Sequence, residues 1–276
     1  MKSRTILRQC AGQLGPVAGA LAQKEAELIL CTILNCTRNE LLLNNLEIES
    51  GMCLQIDAYC QERLSGKPLA HVLGKAYFYN REFKVSADTL IPRPDTETVV
   101  EVVLKYENPA PRQFLDLCTG SGILACILGE VRPRWQATAT DISYPALQIA
   151  QDNALAMLPL CCMNELTAFK SRKTFDFIVS NPPYIAGPVL RLLDQSVTAF
   201  EPHAALYGGE DGLDFYRMMA QKAPMLLKTG GRLYCEIGYD QKEAVSALFS
   251  PPLWKPADCF CDLARRDRVL RVECVN

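Results

Sequence analysis

The chain reads Leu115-Asp116-Leu117-Cys118-Thr119-Gly120-Ser121-Gly122 where a short apolar run gives way to glycines. Residues 114–118 predict a buried strand, and the apolar residues 123–131 that follow predict a helix. Glycines between a strand and a helix let backbone N–H groups approach a ligand at the start of the helix. The stretch is therefore typical of the first strand, loop and helix of an open α/β sheet.

Outward from this loop, strand and helix patterns alternate to the end of the chain. Short apolar runs predict strands at residues 135–141, 175–180, 232–237, 257–263 and 268–275. Amphipathic patterns predict helices at residues 96–106, 145–158, 214–227 and 241–249, and we expect Gly230-Gly231 to close the third of them. Such alternation predicts a parallel sheet with helices on both faces, in which ligands bind at the carboxyl ends of the strands.

The residues before this alternating region have a different pattern. Apolar residues recur at helical spacing within 6–14 and 53–64, and no strand pattern is visible before residue 70. An aromatic stretch at 77–85 with a polar centre predicts a short hairpin. We therefore expect a small helical domain at residues 1–72, a hairpin linker at 73–90 and the α/β domain at 91–276.

Composition limits the class of protein and its partners. The 276 residues include 29 basic and 31 acidic side chains, and this net charge of −2 disfavours a partner held mainly by phosphate contacts. The 13 cysteines are odd in number and include no Cys-x-x-Cys pair, so we expect a reducing compartment and no metal site. No apolar run approaches the ~20 residues that span a bilayer. We expect a cytoplasmic monomer without membrane contact.

The glycine loop and an acid on the next strand form a candidate ligand site. Asp141 ends the predicted strand 135–141, where a carboxylate can accept hydrogen bonds from the two hydroxyls of a ribose. A tight turn without a ligand would have the same pattern. Binding of NAD is less consistent with the loop, because Gly-x-Gly-x-x-Gly is not present. The spacing Asp-x-x-x-Gly-x-Gly resembles instead the S-adenosyl-L-methionine loop of Rossmann-like methyltransferases.

Asn181-Pro182-Pro183-Tyr184 follows the predicted strand 175–180, at the edge of the sheet where ligands bind. These residues suit an acceptor nitrogen that is planar, in an amide or an exocyclic amine. Its lone pair is delocalised, so the nitrogen is a poor nucleophile and has to be oriented. The Asn181 side-chain oxygen and the Pro182 carbonyl can accept its two N–H groups, Pro183 adds no competing donor, and Tyr184 offers a flat face. A turn that merely ends the strand is the alternative.

These motifs resemble those of the bacterial glutamine methyltransferases that act on peptide-chain release factors, the HemK/PrmC family. The resemblance covers nearly the whole chain and is most specific in residues 91–97, 116–122, 179–185, 200–202, 208–213 and 236–238. It implies a class I methyltransferase domain after a small helical domain, with S-adenosyl-L-methionine as cofactor. It also implies methyl transfer to the side-chain amide of the glutamine in a Gly-Gly-Gln tripeptide of a release factor.

The resemblance implies roles for individual residues. Asn181, Pro182 and Pro183 would hold the glutamine amide, and Tyr184 would pack against it. The helical domain would dock the release factor, and the linker that closes over the glutamine would include Leu90, Pro92 and Arg93. The cofactor would be bound by Asp116, Cys118, Thr119, Gly120, Ser121 and Gly122, by Asp141 at its ribose, by Glu165 near its adenine, and by Asn181.

Two features depart from the family pattern. Cys118 stands where the family has its first glycine, and a positive φ at this residue would cost roughly 1 kcal/mol. The segment between residues 158 and 169 is short, and no aromatic residue accompanies the acid at Asn164-Glu165. We expect Glu201 and Asp211, which could be taken for catalytic acids, to brace the loop that follows Asn-Pro-Pro-Tyr.

Other functions stay open on the sequence alone. A sister family methylates a glutamine of a ribosomal protein with the same tetrapeptide. A nucleic-acid methyltransferase would act on the exocyclic amine of adenine, although it would normally need a basic cleft and an extruded base, so we expect no direct nucleic-acid contact. A non-catalytic adaptor would bind S-adenosyl-L-methionine without using it, and the intact Asn-Pro-Pro-Tyr argues against that function.

Overall fold

The computed structural model describes residues 1–157, 162–165 and 175–275. The chain divides into two compact units, one of Met1–Lys75 with Asp194–Phe200, and one of Ala76–Leu193 with Glu201–Asn276. Residues 194–200 therefore group with the helical unit. The expected boundaries at residues 72 and 90 stay predictions.

The first unit is a small helical bundle. Its helices are α1 (Ser3–Ala18), α2 (Ala22–Leu34), α3 (Arg38–Leu43), α4 (Ser50–Leu64), α5 (Leu69–Leu73) and α10 (Gln195–Thr198). The apolar stripes at residues 6–14 and 53–64 meet in its core, where Leu14 and Cys60 are fully buried. A capping box begins α3: the Thr37 side chain accepts from the Glu40 N–H, and the Glu40 carboxylate accepts from the Thr37 N–H.

A hairpin and an alternating α/β region make up the rest of the chain. The strands are β1 (Lys75–Phe78), β2 (Arg81–Lys84), β3 (Arg112–Leu117), β4 (Trp135–Asp141), β5 (Cys162–Glu165), β6 (Phe175–Ser180), β7 (Leu227–Glu236), β8 (Asp258–Cys261) and β9 (Asp267–Glu273). The helices are α6 (Glu97–Tyr106), α7 (Ile123–Val131), α8 (Tyr144–Met157), α9 (Gly187–Leu190), α11 (His203–Leu206), α12 (Asp214–Lys222) and α13 (Lys242–Leu248). Short 3₁₀ turns precede α6 at Pro94–Thr96 and follow α12 at Ala223–Met225.

Seven strands form one sheet in the order β5-β4-β3-β6-β7-β9-β8. The strands from β5 to β7 are parallel, whereas β9 pairs antiparallel with both β7 and β8. The prediction of a Rossmann-like sheet is confirmed, but the expectation that the sheet is wholly parallel is wrong at this edge. A short turn joins β8 to β9, and such a connection permits only antiparallel pairing.

Both faces of the sheet are covered by helices. Phe114 and Phe177 belong to a buried apolar cluster with residues of α6, α7 and α8. Their neighbours Leu115 and Ile178 belong to a second cluster with residues of α12 and α13. Because successive side chains of a strand point to opposite faces, these two clusters are the two layers of core on either side of the sheet.

The region after α12 differs from its prediction. The expected helix 214–227 ends at Lys222, and the strand expected at 232–237 already begins at Leu227. Pro224 lies in the 3₁₀ turn that follows α12, where its missing N–H and fixed φ prevent the helix from continuing. Gly230 (φ +72°) and Gly231 therefore lie inside β7 and do not cap the helix.

No helix among the described residues is long and apolar enough to cross a membrane.

Candidate active site

A cavity lies at the carboxyl ends of β3, β4 and β6, the edge of the sheet that the α/β pattern predicts for a ligand. Its empty volume is about 1190 Å³, including the part open to solvent. The residues from the expected site that line it are Leu90, Pro92, Arg93, Cys118, Thr119, Gly120, Ser121, Asp141, Asn181 and Pro183.

Other expected residues lie outside the described lining of this cavity. Asp116 and Pro182 are buried, and Gly122 and Tyr184 lie next to lining residues. The backbone of Glu165 pairs with Asp141 at the end of β5, whereas its side chain lies outside the described residues. The structure therefore brings residues of the glycine loop, Asp141 and the Asn-Pro-Pro-Tyr stretch together at one cavity.

The glycine loop is held by its own backbone and by Asp141. The Gly120 N–H donates to the Asp141 carboxylate at 2.9 Å, and the Gly122 N–H donates to the Thr119 carbonyl at 2.9 Å. Gly122 has a φ of +82°, and a Cβ at this residue would lie 3.1 Å from the Cβ of Ala150. Glycine here permits both the turn and the close packing of the start of α7 against α8.

Cys118 adopts a φ of +59°. The backbone strain that we expected if this residue had a positive φ is therefore present. Its side chain is half-buried at the cavity and packs against the apolar cluster under α12 and α13. Burial raises the pKa of the Cys118 thiol well above its ordinary value. The thiol is therefore neutral at physiological pH, and it is a poor candidate for a nucleophile.

Asp116 is a fully buried carboxyl group under the loop. Its Oδ2 accepts from the Thr119 hydroxyl at 2.6 Å and from the Ala125 N–H at 3.1 Å. Its Oδ1 has no hydrogen-bond partner among the described residues. Burial raises the pKa of Asp116 to about 7, although the two hydrogen bonds oppose the rise.

Asp141 lies where β4 ends and is half-exposed at the cavity. Its two oxygens accept from the Gly120 and Ser143 N–H groups, both at 2.9 Å, and each oxygen keeps a lone pair for a further donor. The next residue, Ile142, lines the cavity and is 73% exposed. Two hydroxyls can therefore bind at Asp141 beside an apolar surface, which suits a nucleoside.

Asn181 is the polar side chain that Asn-Pro-Pro-Tyr contributes to the cavity. Its Nδ2 donates to the Oγ1 of Thr96, a fully buried residue, at 3.2 Å. The amide group of Asn181 therefore has its nitrogen engaged and its oxygen available to accept from a ligand. The preceding Ser180 hydroxyl donates to the Leu117 carbonyl at 2.7 Å, which ties the ends of β6 and β3 together.

Tyr184 turns its hydroxyl toward a buried acid. The hydroxyl donates to Glu236 Oε1 at 3.2 Å, and burial raises the pKa of Tyr184 well above its ordinary value. Glycines allow the following loop to lie close to this residue. A Cβ on Gly208 would lie 2.8 Å from the Tyr184 Cα, and one on Gly212 would lie 2.5 Å from the Tyr184 carbonyl oxygen. The loop 208–212 thus supports the Asn-Pro-Pro-Tyr backbone from behind.

Glu201 holds the segment 90–93 that borders the cavity. Its carboxylate accepts from the Ile91 N–H at 3.0 Å and pairs with the Arg93 guanidinium at 2.5 Å, with the Glu201 side chain 1% exposed. Glu201 therefore braces the segment before α6, and its expected role in bracing the loop after Asn-Pro-Pro-Tyr stays a prediction. Asp211 pairs with Arg217 and accepts from the Leu213 N–H, within its own loop.

Several residues in or next to the cavity were missed from the sequence. Thr96 and Glu236 lie in segments that resemble the methyltransferase family, residues 91–97 and 236–238. The resemblance marks these segments, but no role for either residue follows from the sequence alone. Phe215 and Met218 of α12 line the cavity without any distinguishing pattern in the sequence. The segment 201–205 contributes further lining residues, namely Pro202, Ala204 and Ala205.

Within the described ranges, no group of three or more His, Cys, Asp or Glu residues is arranged to hold a metal ion.

The chain is similar to known proteins along most of its length. Two family models match it: "PrmC N-terminal domain" over residues 5–74 and "Methyltransferase small domain" over residues 96–243. A release factor glutamine methyltransferase of Thermodesulfovibrio yellowstonii is 34% identical, over 90% of this chain and 91% of the relative. One from Koribacter versatilis is 40% identical, over 81% of each chain, and one from Nitratidesulfovibrio vulgaris is 33% identical, over 96% and 92%.

Similarity to solved structures supports the fold. A methyltransferase from Pyrococcus furiosus superposes with a TM-score of 0.53 at 15% identity, over 78% of this chain and 97% of that structure. The fold is thus that of a methyltransferase. The relatives found by sequence identify the family more specifically than the fold does. On the family models and on relatives that match over almost their full length, this chain belongs to the release factor glutamine methyltransferase family.

Proposed function

We propose that this protein transfers a methyl group from S-adenosyl-L-methionine to the side-chain amide nitrogen of the glutamine in the Gly-Gly-Gln tripeptide of peptide-chain release factors. The observation that carries this proposal is the arrangement of Asn181 at a cavity that the glycine loop also lines: its nitrogen donates to Thr96, and its oxygen accepts from none of the described residues. We propose that the protein acts in the cytoplasm, where translation takes place.

The residues of the cavity fit this cofactor. Asp141 offers lone pairs for the ribose hydroxyls, with Ile142 as an apolar surface for the base. Asp141 places a carboxylate at the cavity beside the loop 118–121, which suits a cofactor with a positively charged sulfonium. When bound, S-adenosyl-L-methionine supplies a methyl group that is already activated by a sulfonium centre.

The protein's contribution is orientation of the acceptor. The Asn181 oxygen accepts one N–H of the substrate amide, and the Pro182 carbonyl accepts the other, so the nitrogen is presented with one face toward the loop 118–121. Holding two reacting groups in a fixed geometry can supply several kcal/mol of the barrier reduction. Neither a histidine nor a thiolate nucleophile is needed, in agreement with the neutral thiol of Cys118.

Two further elements serve the protein substrate. The segment 90–93, held by Glu201, covers the inserted glutamine with Leu90, Pro92 and Arg93. The helical unit, which matches the PrmC N-terminal domain model over residues 5–74, docks the body of the release factor. We propose that the active form is a monomer.

The experiment that tests this function is a methyl-transfer assay with labelled S-adenosyl-L-methionine. The acceptors are a purified release factor and the same factor with the glutamine of its Gly-Gly-Gln changed to alanine. We expect label on the first and none on the second. Equal label on both would place the methyl group elsewhere. Label on ribosomal protein or nucleic acid from an extract, with none on the release factor, would favour one of the alternative substrates.

A further inference from the structure

We propose that Gln241 is a positioning residue for the Asn-Pro-Pro-Tyr stretch, which it holds by the carbonyl of Tyr184. Gln241 is not among the described residues that line the cavity, so it acts on a substrate only through the backbone of residues 181–184. The inference rests on the proposed function for its effect on methyl transfer. The hydrogen bonds themselves can be tested without any substrate.

Asn-Pro-Pro-Tyr offers few backbone groups by which the protein can hold it. Its two prolines carry no N–H, and the proposed function reserves the Pro182 carbonyl for the substrate. The peptide group after Tyr184 is held instead. Its carbonyl accepts from Gln241 Nε2 at 3.0 Å, and its N–H, which belongs to Ile185, donates to the Leu206 carbonyl at 3.0 Å. Because the C=O and N–H of a trans peptide group point in opposite directions, this group is fixed from two sides.

The partners of the Gln241 amide determine its orientation. Its Oε1 accepts from the Gly238 N–H at 2.9 Å. Its Nε2 donates to the Tyr184 carbonyl and, at 3.4 Å, to the Gly212 carbonyl. All three partners are backbone groups, of which one can only donate and two can only accept. The amide therefore has a single orientation that satisfies them, and in that orientation its NH₂ group faces Tyr184.

The surrounding backbone is shaped to receive this side chain. A Cβ on Gly212 would lie 2.8 Å from Gln241 Nε2, and one on Gly238 would lie 2.9 Å from Oε1, so both positions leave the amide its space. The Gln241 N–H also donates to the Gly238 carbonyl at 3.0 Å, which closes the turn directly before α13. Gln241 thus joins this turn, the loop 208–212 and Asn-Pro-Pro-Tyr.

The position of Gln241 predicts which part of the reaction depends on it. Because Pro183 has a fixed φ, few free torsions separate the Pro182 carbonyl from the peptide group after Tyr184. When that peptide group turns, the Pro182 carbonyl moves, and this carbonyl is one of the two proposed acceptors for the substrate amide. Asp141 and the glycine loop are held by other hydrogen bonds, so binding of the cofactor should not change.

The first test compares Gln241→Glu and Gln241→Ala with the wild type in methyl transfer to a release factor. Glutamate keeps the shape and an oxygen for the Gly238 N–H, but its carboxylate faces two carbonyl oxygens with no hydrogen to donate. At pH 8 we expect kcat/KM for the release factor to fall about tenfold in each variant, while the Kd of S-adenosyl-L-methionine changes by less than about twofold. Wild-type kcat/KM in either variant would overturn the proposal.

The pH dependence separates the hydrogen bond from a general loss of packing. A protonated carboxyl group at this position again has a hydrogen to donate to the Tyr184 carbonyl, and the two carbonyl oxygens favour the protonated form. Relative to the wild type at the same pH, Gln241→Glu should therefore regain severalfold activity between pH 8 and pH 5.5, whereas Gln241→Ala should not. Equal relative losses in both variants at both pH values would overturn the proposal.

A matched control is Gln136→Glu, which makes the same chemical change at an exposed position of β4, away from the described cavity lining. It should keep the wild-type kcat/KM at both pH values. If Gln136→Glu loses as much as Gln241→Glu, the loss comes from the added charge and the proposal is wrong. Thermal unfolding of each variant shows whether it is folded.

The second test needs no substrate and is independent of the proposed function. Hydrogen exchange at the Ile185 amide, followed by NMR, reports on the peptide group that Gln241 holds. We expect exchange at Ile185 to become at least about tenfold faster in Gln241→Ala, while the Ala125 amide in α7 keeps its wild-type rate. No change at Ile185, or equal acceleration at both amides, would overturn the proposal. The expected change at Ile185 in a protein that methylates no release factor would contradict the proposed function alone.

Discussion

At the scale of single residues, the φ angle of Cys118 indicates strain in the backbone. Its φ of +59° lies in the left-handed region, where a Cβ is crowded against the backbone. The residue follows strand β3 directly and is the first residue of the loop that lines the cavity. The strain is therefore stored in the loop that lines the cavity.

Changing Cys118 tests this cost directly. We expect Cys118→Gly to be about 1 kcal/mol more stable to urea than Cys118→Ala, because both lose the sulfur but only alanine keeps a Cβ at positive φ. The comparison removes the contribution of the thiol contacts. Equal free energies of unfolding for the two variants would show that the loop relaxes and stores no strain at this residue.

The chemical role of some residues could be predicted from the sequence, whereas their hydrogen-bond partners could not. The sequence predicted Asn181 as the hydrogen-bonding group because an amide oxygen at the end of a strand suits a planar nitrogen. It did not predict that this amide donates a hydrogen bond to Thr96, since the two residues are 85 positions apart and their pairing depends on the whole sheet. The cost at Cys118 could be stated only as a condition, because φ is not visible in a sequence.

At the scale of elements, the clamp formed by Glu201 joins two segments that are far apart in the chain. It holds the Ile91 N–H and the Arg93 guanidinium 110 and 108 residues away. Because Leu90, Pro92 and Arg93 line the cavity, the buried Glu201 carboxylate helps to set the position of the cavity border.

Glu201→Ala tests the clamp. We expect a loss of about 1–3 kcal/mol in the free energy of unfolding, because a buried N–H loses its acceptor and Arg93 loses its partner. Hydrogen exchange at the Ile91 amide should become faster. The control is Asp211→Ala, an exposed acid paired with Arg217, for which we expect less than about 1 kcal/mol. A similar loss in both variants, with Ile91 still protected, would contradict the clamp.

Local sequence patterns predicted the first and last residues of some helices and strands correctly and those of others wrongly. The predicted helix 123–131 and strand 135–141 coincide with α7 and β4, because each has an uninterrupted apolar pattern between clear boundaries. The end of α12 was wrong because Gly230-Gly231 resembled a helix stop, whereas Pro224 ends the helical region earlier. The antiparallel direction of β9 is set by its short connection to β8, which an apolar pattern does not encode.

At the scale of the whole molecule, buried acids give the stability a specific pH dependence. Burial raises the pKa of Asp116 and of Glu236 to about 7, from ordinary values near 4. Between these values the folded state binds more protons than the unfolded state, so stability falls as the pH rises toward 7. Carboxyl groups with lowered pKa, such as Asp176 and Glu273, act in the opposite direction and lose their contribution below about pH 4.

We therefore expect the free energy of unfolding to be largest near pH 5 and to be lower at pH 8, by on the order of 2–4 kcal/mol. Urea denaturation at both pH values measures the difference. The double variant Asp116→Asn with Glu236→Gln should lose most of it, since neither replacement titrates. A wild type that is more stable at pH 8 than at pH 5 would contradict the assignment of these two acids.

The central claim is that Asn181 orients a glutamine amide for methylation at a cavity that binds S-adenosyl-L-methionine. The most direct measurement is single-turnover methyl transfer to a release factor by the wild type and by Asn181→Ala, with the Kd of the cofactor determined for both proteins. We predict that transfer slows by at least about 100-fold in Asn181→Ala while the cofactor Kd changes by less than about threefold. Transfer at the wild-type rate by Asn181→Ala would contradict the claim.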